Sequence, residues 1–299
     1  MNRNFKEKFV NELNSRSSEY KLVKTDTGYY KVEPRPTKIE LEKYYSEKYY
    51  ENIDSMAEKG MDIGKTDKFE KFHFERHYEE ISLFLENNFQ NKHIKILDAG
   101  CGLGKCLLYL KQKGFDNLYG LEFEDRINND GIYVYKGDFL ETAFNTAFDF
   151  IMFNNVIEHV PEPEKFICKA YKLLNEKGVV RVQVPNDLSY TQYKAVAKNN
   201  YENFYFYNPY EHLNYFSFES VKNELKKSEF EILKTTTDFS MDQFLLMDID
   251  YSKEKQLGEL CHKYRINFEY NMGNEYLEKY YEKMAEIEIG RVVIAYGRK

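Results

Sequence analysis

Short apolar runs alternate with longer amphipathic stretches between residues 92 and 186. Ile94, Ile96 and Leu97 make a first run closed by Asp98, and Asn117–Glu122 makes a second closed by Glu122. Residues 132–135 lead into Gly137-Asp138-Phe139, Phe148–Asn154 forms a fourth run, and residues 179–186 a fifth. These lengths suit buried strands, while residues 106–110 and 163–174 carry apolar positions at helical spacing. Strands alternating with helices predict an α/β fold, with a mostly parallel sheet covered on both faces.

The flanks follow other periods. Residues 20–32 alternate like a hairpin with Asp26-Thr27-Gly28 at its turn. Pro34 and Pro36 break the chain before a helix expected over residues 39–50, and Phe72, Ile81, Phe84 and Leu85 stripe a helix over 69–88. Glu176-Lys177-Gly178 reads as a turn, residues 217–230 as a helix, and 230–236 and 291–296 as strands.

The junction after the first run carries the chemistry. Asp98-Ala99-Gly100-Cys101-Gly102-Leu103-Gly104 places three glycines at alternate positions between a strand and a helix, where backbone can approach a nucleoside ligand. A dinucleotide fingerprint read from Gly100 needs glycine or alanine where Lys105 stands. A phosphate loop ending at Gly104-Lys105 needs glycine at Ala99 and Ser or Thr at Cys106. Neither reading survives. Glu122 follows Gly100 by 22 residues, the distance at which a strand-end carboxylate reaches ribose hydroxyls.

The remaining pattern, D-x-G-x-G-x-G, resembles motif I of the class I S-adenosylmethionine-dependent methyltransferases. The string over residues 148–160 is similar to the fourth strand and following helix of the ubiquinone-type O-methyltransferases. Residues 34–50 resemble the stretch that follows a zinc ribbon in sugar and surface-glycan methyltransferases, but no cysteine precedes Cys101, so that metal module is missing. The resemblance implies a Rossmann-like, seven-stranded, mostly parallel sheet with an antiparallel last strand, and S-adenosylmethionine as cofactor. By the same resemblance Asp98 takes the cofactor's amino group, and the amides of Gly100, Cys101, Gly102 and Gly104 face its carboxylate. Glu122, with Phe123 beside it, takes the ribose, Asp138 and Phe139 border the adenine, and Asn154 lines the same crevice.

Acceptor-side candidates follow from the same likeness. His159, expected to start the helix after the fourth strand, and His212, within Tyr210-Glu211-His212, are the candidate general bases; His212 is favoured because it arrives from an insertion. The implied activity is methyl transfer to a hydroxyl or amine of a small molecule, a sugar or nucleotide-linked sugar of surface glycans first. A quinol or small aromatic acceptor is the alternative, and a non-catalytic cofactor-binding partner subunit is a rival of another class. Asn154-Asn155-Val156 lacks the Asn/Asp-Pro-Pro-Tyr/Phe of base methylation, which counts against nucleic acid.

Composition narrows the setting. The 299 residues carry a formal charge of −7, so the basic footprint of a nucleic-acid binder is missing. No apolar run reaches the length of a membrane span, the polar start is no signal peptide, and the four cysteines have no metal spacing. A cytoplasmic protein without a metal is expected, with His73 and His77 on a solvated helix face. The chain divides into an extension over 1–68 and a methyltransferase domain over 69–299 with two insertions. Residues 187–216 are dense in Tyr and Phe, either an acceptor-stacking wall or a lid packing on itself. Residues 241–286 read as helices, a cap or a contact in a homo-oligomer.

Overall fold

A computed structural model describes residues 4–17, 19–44, 68–123, 131–199 and 206–299. Helix α1 (Asn4–Arg16), the hairpin β1 (Lys21–Lys24) and β2 (Tyr30–Glu33), and helix α2 (Lys38–Tyr44) come first. Helix α3 (Lys68–Asn88) leads into β3 (Lys95–Ala99), α4 (Lys105–Gln112), β4 (Asn117–Glu122), β5 (Tyr133–Lys136) and β6 (Phe148–Asn154). Then follow α5 (Pro163–Leu173), β7 (Leu174–Pro185), α6 (Tyr190–Asn199), β8 (Asn214–Tyr215), α7 (Phe218–Lys227) and β9 (Glu231–Thr236). Helices α8 (Asp242–Leu246), α9 (Lys255–Met272) and α10 (Asn274–Glu286) precede the last strand, β10 (Val292–Arg298). The helix expected over 39–50 is seen as far as Tyr44; its remainder lies outside the described residues.

Seven strands lie in the order β5-β4-β3-β6-β7-β10-β9, with β10 antiparallel to both neighbours, as expected. Both faces are apolar because the sheet is covered on both sides. Leu97, Ala99, Ile151, Phe153, Val180 and Val182 face one layer, whereas Ile96, Phe150, Met152 and Ile294 face α3 and α4 through Ile81, Leu85 and Leu107. The turn expected at 176–178 belongs instead to β7. Lys177 takes a φ of 65°, and the β6 register slips between Phe148 and Phe150, so the strand absorbs those residues as a bulge.

A second core ties the ends of the sequence together. The hairpin pairs with β8 into a three-stranded sheet. Phe9 and Leu13 of α1, Tyr20, Leu22 and Val32 of the hairpin, and Leu188, Val196 and Tyr215 are buried together. The aromatic insertion therefore packs on the N-terminal extension: Tyr193 and Phe206 meet the Phe9 ring at 5.4 and 5.5 Å. Tyr201, Phe204 and Tyr205 of that insertion lie outside the described residues.

Candidate active site

The β3–β4 and β6–β7 pairs grow outward in opposite directions, so a crevice opens beyond the carboxyl ends of β3 and β6. Asp98 stands there, 2% exposed, and accepts a hydrogen bond from Asn154 Nδ2 at 3.3 Å. Burial pushes its carboxyl up to about 7, against the Arg181 charge and the Asn154 bond. Gly100, with φ of 85°, could not be replaced: a Cβ there would sit 2.6 Å from Val156 Cγ2. At Gly102 a Cβ would meet nothing within 4 Å, so the loop offers open space beside the crevice.

The glycine amides do not face outward as expected. Gly100 and Cys101 donate to the Leu121 carbonyl at 2.8 and 3.1 Å, Gly102 to Glu122 Oε2 at 2.8 Å, and Gly104 to the Cys101 carbonyl at 2.9 Å. These bonds staple the loop to β4 and aim Glu122. Its other oxygen accepts the Phe123 amide at 2.8 Å, and since a carboxylate offers about four acceptor sites, both oxygens retain capacity for a diol. Phe123 leaves its ring 64% exposed just after the strand. Asp138 Oδ1 accepts the Leu140 amide at 2.7 Å, a local turn that Lys169 pins through the Leu140 and Thr142 carbonyls. Phe139, expected beside the cofactor ring, is instead a core residue; its ring meets Phe153 at 5.1 Å and Phe166 at 5.3 Å.

Across the crevice lies a polar cluster. Val156, packed on Gly100, begins a turn carrying Glu158 and His159; the helix expected there starts only at Pro163. Proline at the first helical position and the turn's own bonds explain the delay. His159 Nδ1 lies 2.5 Å from the Glu211 carbonyl, which can only accept, so Nδ1 carries the proton and Nε2 the lone pair. Burial and the nearby His212 lower its pKa to about 4. His212 faces the same turn, its ring 5.2 Å from that of His159. Burial would lower its pKa too, but the contact with Asp187 at 3.6 Å and the charges of Asp187, Glu158 and Glu211 outweigh that and raise it to about 9.

Glu158 is 1% exposed, with neither oxygen hydrogen-bonded, and burial raises it to about 8 despite His212. Carboxylate and ring nitrogens of Glu158, His159 and His212 lie within 4.8 Å of one another, close enough to share a proton or a cation. The other two candidates stand apart from this chemistry. Tyr210 is held between the rings of Tyr20 and Tyr44, and the Glu211 carboxylate accepts from Tyr44 and Asn208, so Glu211 touches the cluster by its carbonyl and acts on it otherwise only through its charge. The His73 side chain lies outside the described residues; His77, half-buried, sits 3.4 Å from Arg76.

A family model described as a methyltransferase domain matches residues 69–235, more than half of the chain. The chain belongs to the S-adenosylmethionine-dependent methyltransferases. Among solved structures it is similar to an S-adenosylmethionine-dependent methyltransferase from Archaeoglobus fulgidus, at 16% identity and a TM-score of 0.45, covering 77% of this chain and 99% of that one. Another, from Mesorhizobium loti, is 12% identical with a TM-score of 0.44 over 73% of this chain and 96% of its own. No curated protein sequence matches the methyltransferase described here.

The crevice suits this cofactor on its own chemistry. A buried carboxylate can meet an ammonium, Glu122 can meet two hydroxyls, and the space beside Gly102 admits a ligand. Three groups of the methyltransferase escaped sequence reading. Glu158 and Asp187 carried no signal of their own in the sequence, and only folding brings them to His212. Arg181 did carry a signal, a lone cation in the apolar run Val179-Val180-Arg181-Val182. Among the described residues no helix is long and apolar enough to cross a membrane.

Proposed function

We propose that this methyltransferase methylates a hydroxyl of a small polar acceptor, a sugar or nucleotide-linked sugar, with His159 as the base. The cofactor, when bound, supplies an electrophilic methyl on a sulfonium, an excellent leaving group, so alignment and exclusion of water supply most of the catalysis. A hydroxyl must also lose its proton, and for this the site needs a neutral acceptor. The observation that carries the reading is the His159 tautomer: Nδ1–H is committed to the Glu211 carbonyl, leaving the lone pair on Nε2, which lies 3.7 Å from Glu158 Oε1 inside the cluster. His212, raised by Asp187, is better suited to donate a hydrogen bond to the acceptor than to take its proton. As the acceptor oxygen bonds the methyl carbon, its proton passes to His159 Nε2 and the carbon–sulfur electron pair stays on sulfur. Asp98, Glu122 and Phe123 hold the cofactor in this reading, with Asp138 at the adenine edge and Asn154 orienting Asp98.

The sugar class rests on the likeness of residues 34–50 to sugar methyltransferases and on the tyrosines and acids around the cluster. Purified protein with labelled cofactor, offered nucleotide sugars, free sugars and quinols, should pass label to the sugar set, each product heavier by one methylene. Labelling of quinols alone would move the acceptor to the aromatic class.

A further inference from the structure

Arg181 lies on β7 inside the sheet, 0% exposed. Burying a guanidinium is costly unless its donors are met, and here they are. Nε donates to the Tyr296 hydroxyl at 3.0 Å, Nη2 to Glu80 at 3.2 Å and to Gln183 Oε1 at 2.9 Å, and Nη1 to Asn154 Oδ1. The Tyr296 hydroxyl lies 2.8 and 2.9 Å from the two Glu80 oxygens and closes the ring of contacts. A row of polar groups therefore crosses the sheet from α3 through β10, β7 and β6, and ends on Asp98.

The Asn154 amide makes this row directional. Its oxygen can only accept and its NH2 can only donate. With Arg181 on the oxygen, the NH2 is forced toward Asp98 Oδ1. Without that guanidinium the amide is free to rotate and present oxygen to Asp98, which would then meet it only as a protonated acid. We propose that Arg181 is a positioning residue for cofactor binding: through the Asn154 amide it holds the Asp98 carboxylate ready to receive the cofactor's amino group. This rests on the reading of Asp98 as the amino-group acceptor.

Electrostatics point the same way. The groups acting on Asp98 come from every neighbouring element: Arg181 and Asn154 favour its charge, Glu122 opposes it, and Tyr78, Cys101 and Cys106 are close enough to feel it. Arg181 is the one cation in that set, set against a burial that favours the neutral acid. An uncharged carboxyl would lose the coulombic part of its hold on an ammonium and bind it only as a neutral partner.

The test is the pH dependence of S-adenosylhomocysteine affinity by calorimetry, between about pH 5.5 and 8.5, with each variant read against the wild type so that titration of the ligand's own α-amino group cancels. In the wild type, affinity should fall on the acid side. In Arg181→Met that fall should shift upward by about one pH unit, so affinity near neutrality drops roughly tenfold and recovers in mild alkali. Arg181→Lys, which keeps the charge, should move part of the way back. Asn154→Ala, which leaves the Arg181–Glu80 pair standing, should shift the profile in the same direction and covers a failure of Arg181→Met to fold. A uniform loss at every pH, or an unshifted profile in folded variants, overturns the proposal. Asp98→Asn binding as tightly as the wild type would instead overturn the reading of Asp98 itself.

Discussion

The two sides of the crevice are built in different ways. The glycine turn and Glu122 are local: Gly102 meets Glu122 across 20 residues, within one strand–helix–strand unit. Near the histidines Arg35 meets Asn214 across 179 residues, tying the extension to the segment that carries His212. Leu213 and Asn214 both donate to the Glu158 carbonyl, at 2.8 and 3.0 Å, while the buried Asn214 amide donates to Ile157 and Val160. Arg35 spans the Leu213 carbonyl, Asn214 Oδ1 and the Pro161 carbonyl. The glycine turn and Glu122 come from one short stretch of sequence, whereas the polar cluster is closed by segments that meet only when the extension and the insertion are docked. The lesson is that the two halves should fail separately.

The largest separation should come from the histidines. His159→Ala should lower turnover by about 10²–10⁴-fold with cofactor affinity nearly intact, and His212→Ala by less. The pH profile names the base. His159, held at about 4, is neutral through the physiological range, so with His159 as base the acid limb falls near that value. His212, held at about 9, stays protonated until alkaline pH, so with His212 as base the rate would climb toward pH 9. A rate that rises in this way, and is lost in His212→Ala alone, would transfer the role. A chelator should leave turnover unchanged; loss restored by a divalent ion would make the cluster a cation site.

Next in size is Glu122→Gln. An amide keeps the shape but accepts at one atom only and carries no charge, and the Gly102 staple weakens with it. Cofactor affinity should fall by about 1.5–3 kcal/mol, with the fold and the histidine pH profile unchanged. Calorimetry with S-adenosylhomocysteine checks it, and equal affinity in a folded variant would leave Glu122 a brace for the glycine loop alone.

This division also explains what the sequence revealed. The places of Asp98 and Glu122 at strand ends, and of the glycine turn between strand and helix, were legible because their spacing is fixed by one local unit. The mostly parallel sheet covered on both faces followed from strands alternating with helices, and Gly100 from the tight turn it must make. Illegible were features decided by neighbours distant in sequence. Phe139 looked like a ligand contact, yet Phe153 and Phe166 close over it. The choice of His159 over His212 proposed above rests on Asp187 and the Glu211 carbonyl, which fall where only the folded chain puts them. The loop amides turn inward because the Leu121 carbonyl and Glu122 already take them.

The smallest effect should belong to Arg35→Ala, and it bears most directly on whether the halves separate. Arg35 is half-buried and touches neither crevice wall; it holds the backbone that carries Glu158 and His159. Its loss leaves the Asn214 Oδ1 and Pro161 carbonyl acceptors short of a donor, though water can reach part of the site. The cost to stability should be about 1–2 kcal/mol. A turn freed by a fraction of an ångström misplaces the base, so turnover should fall by roughly 3–10-fold while S-adenosylhomocysteine affinity stays put. Arg35→Lys should recover little, since one ammonium cannot span three acceptors as the planar fork does. Steady-state rates beside calorimetry on the same preparations decide it. If affinity falls in step with turnover, the extension supports the cofactor half as well, and the crevice must be regarded as one cooperative unit.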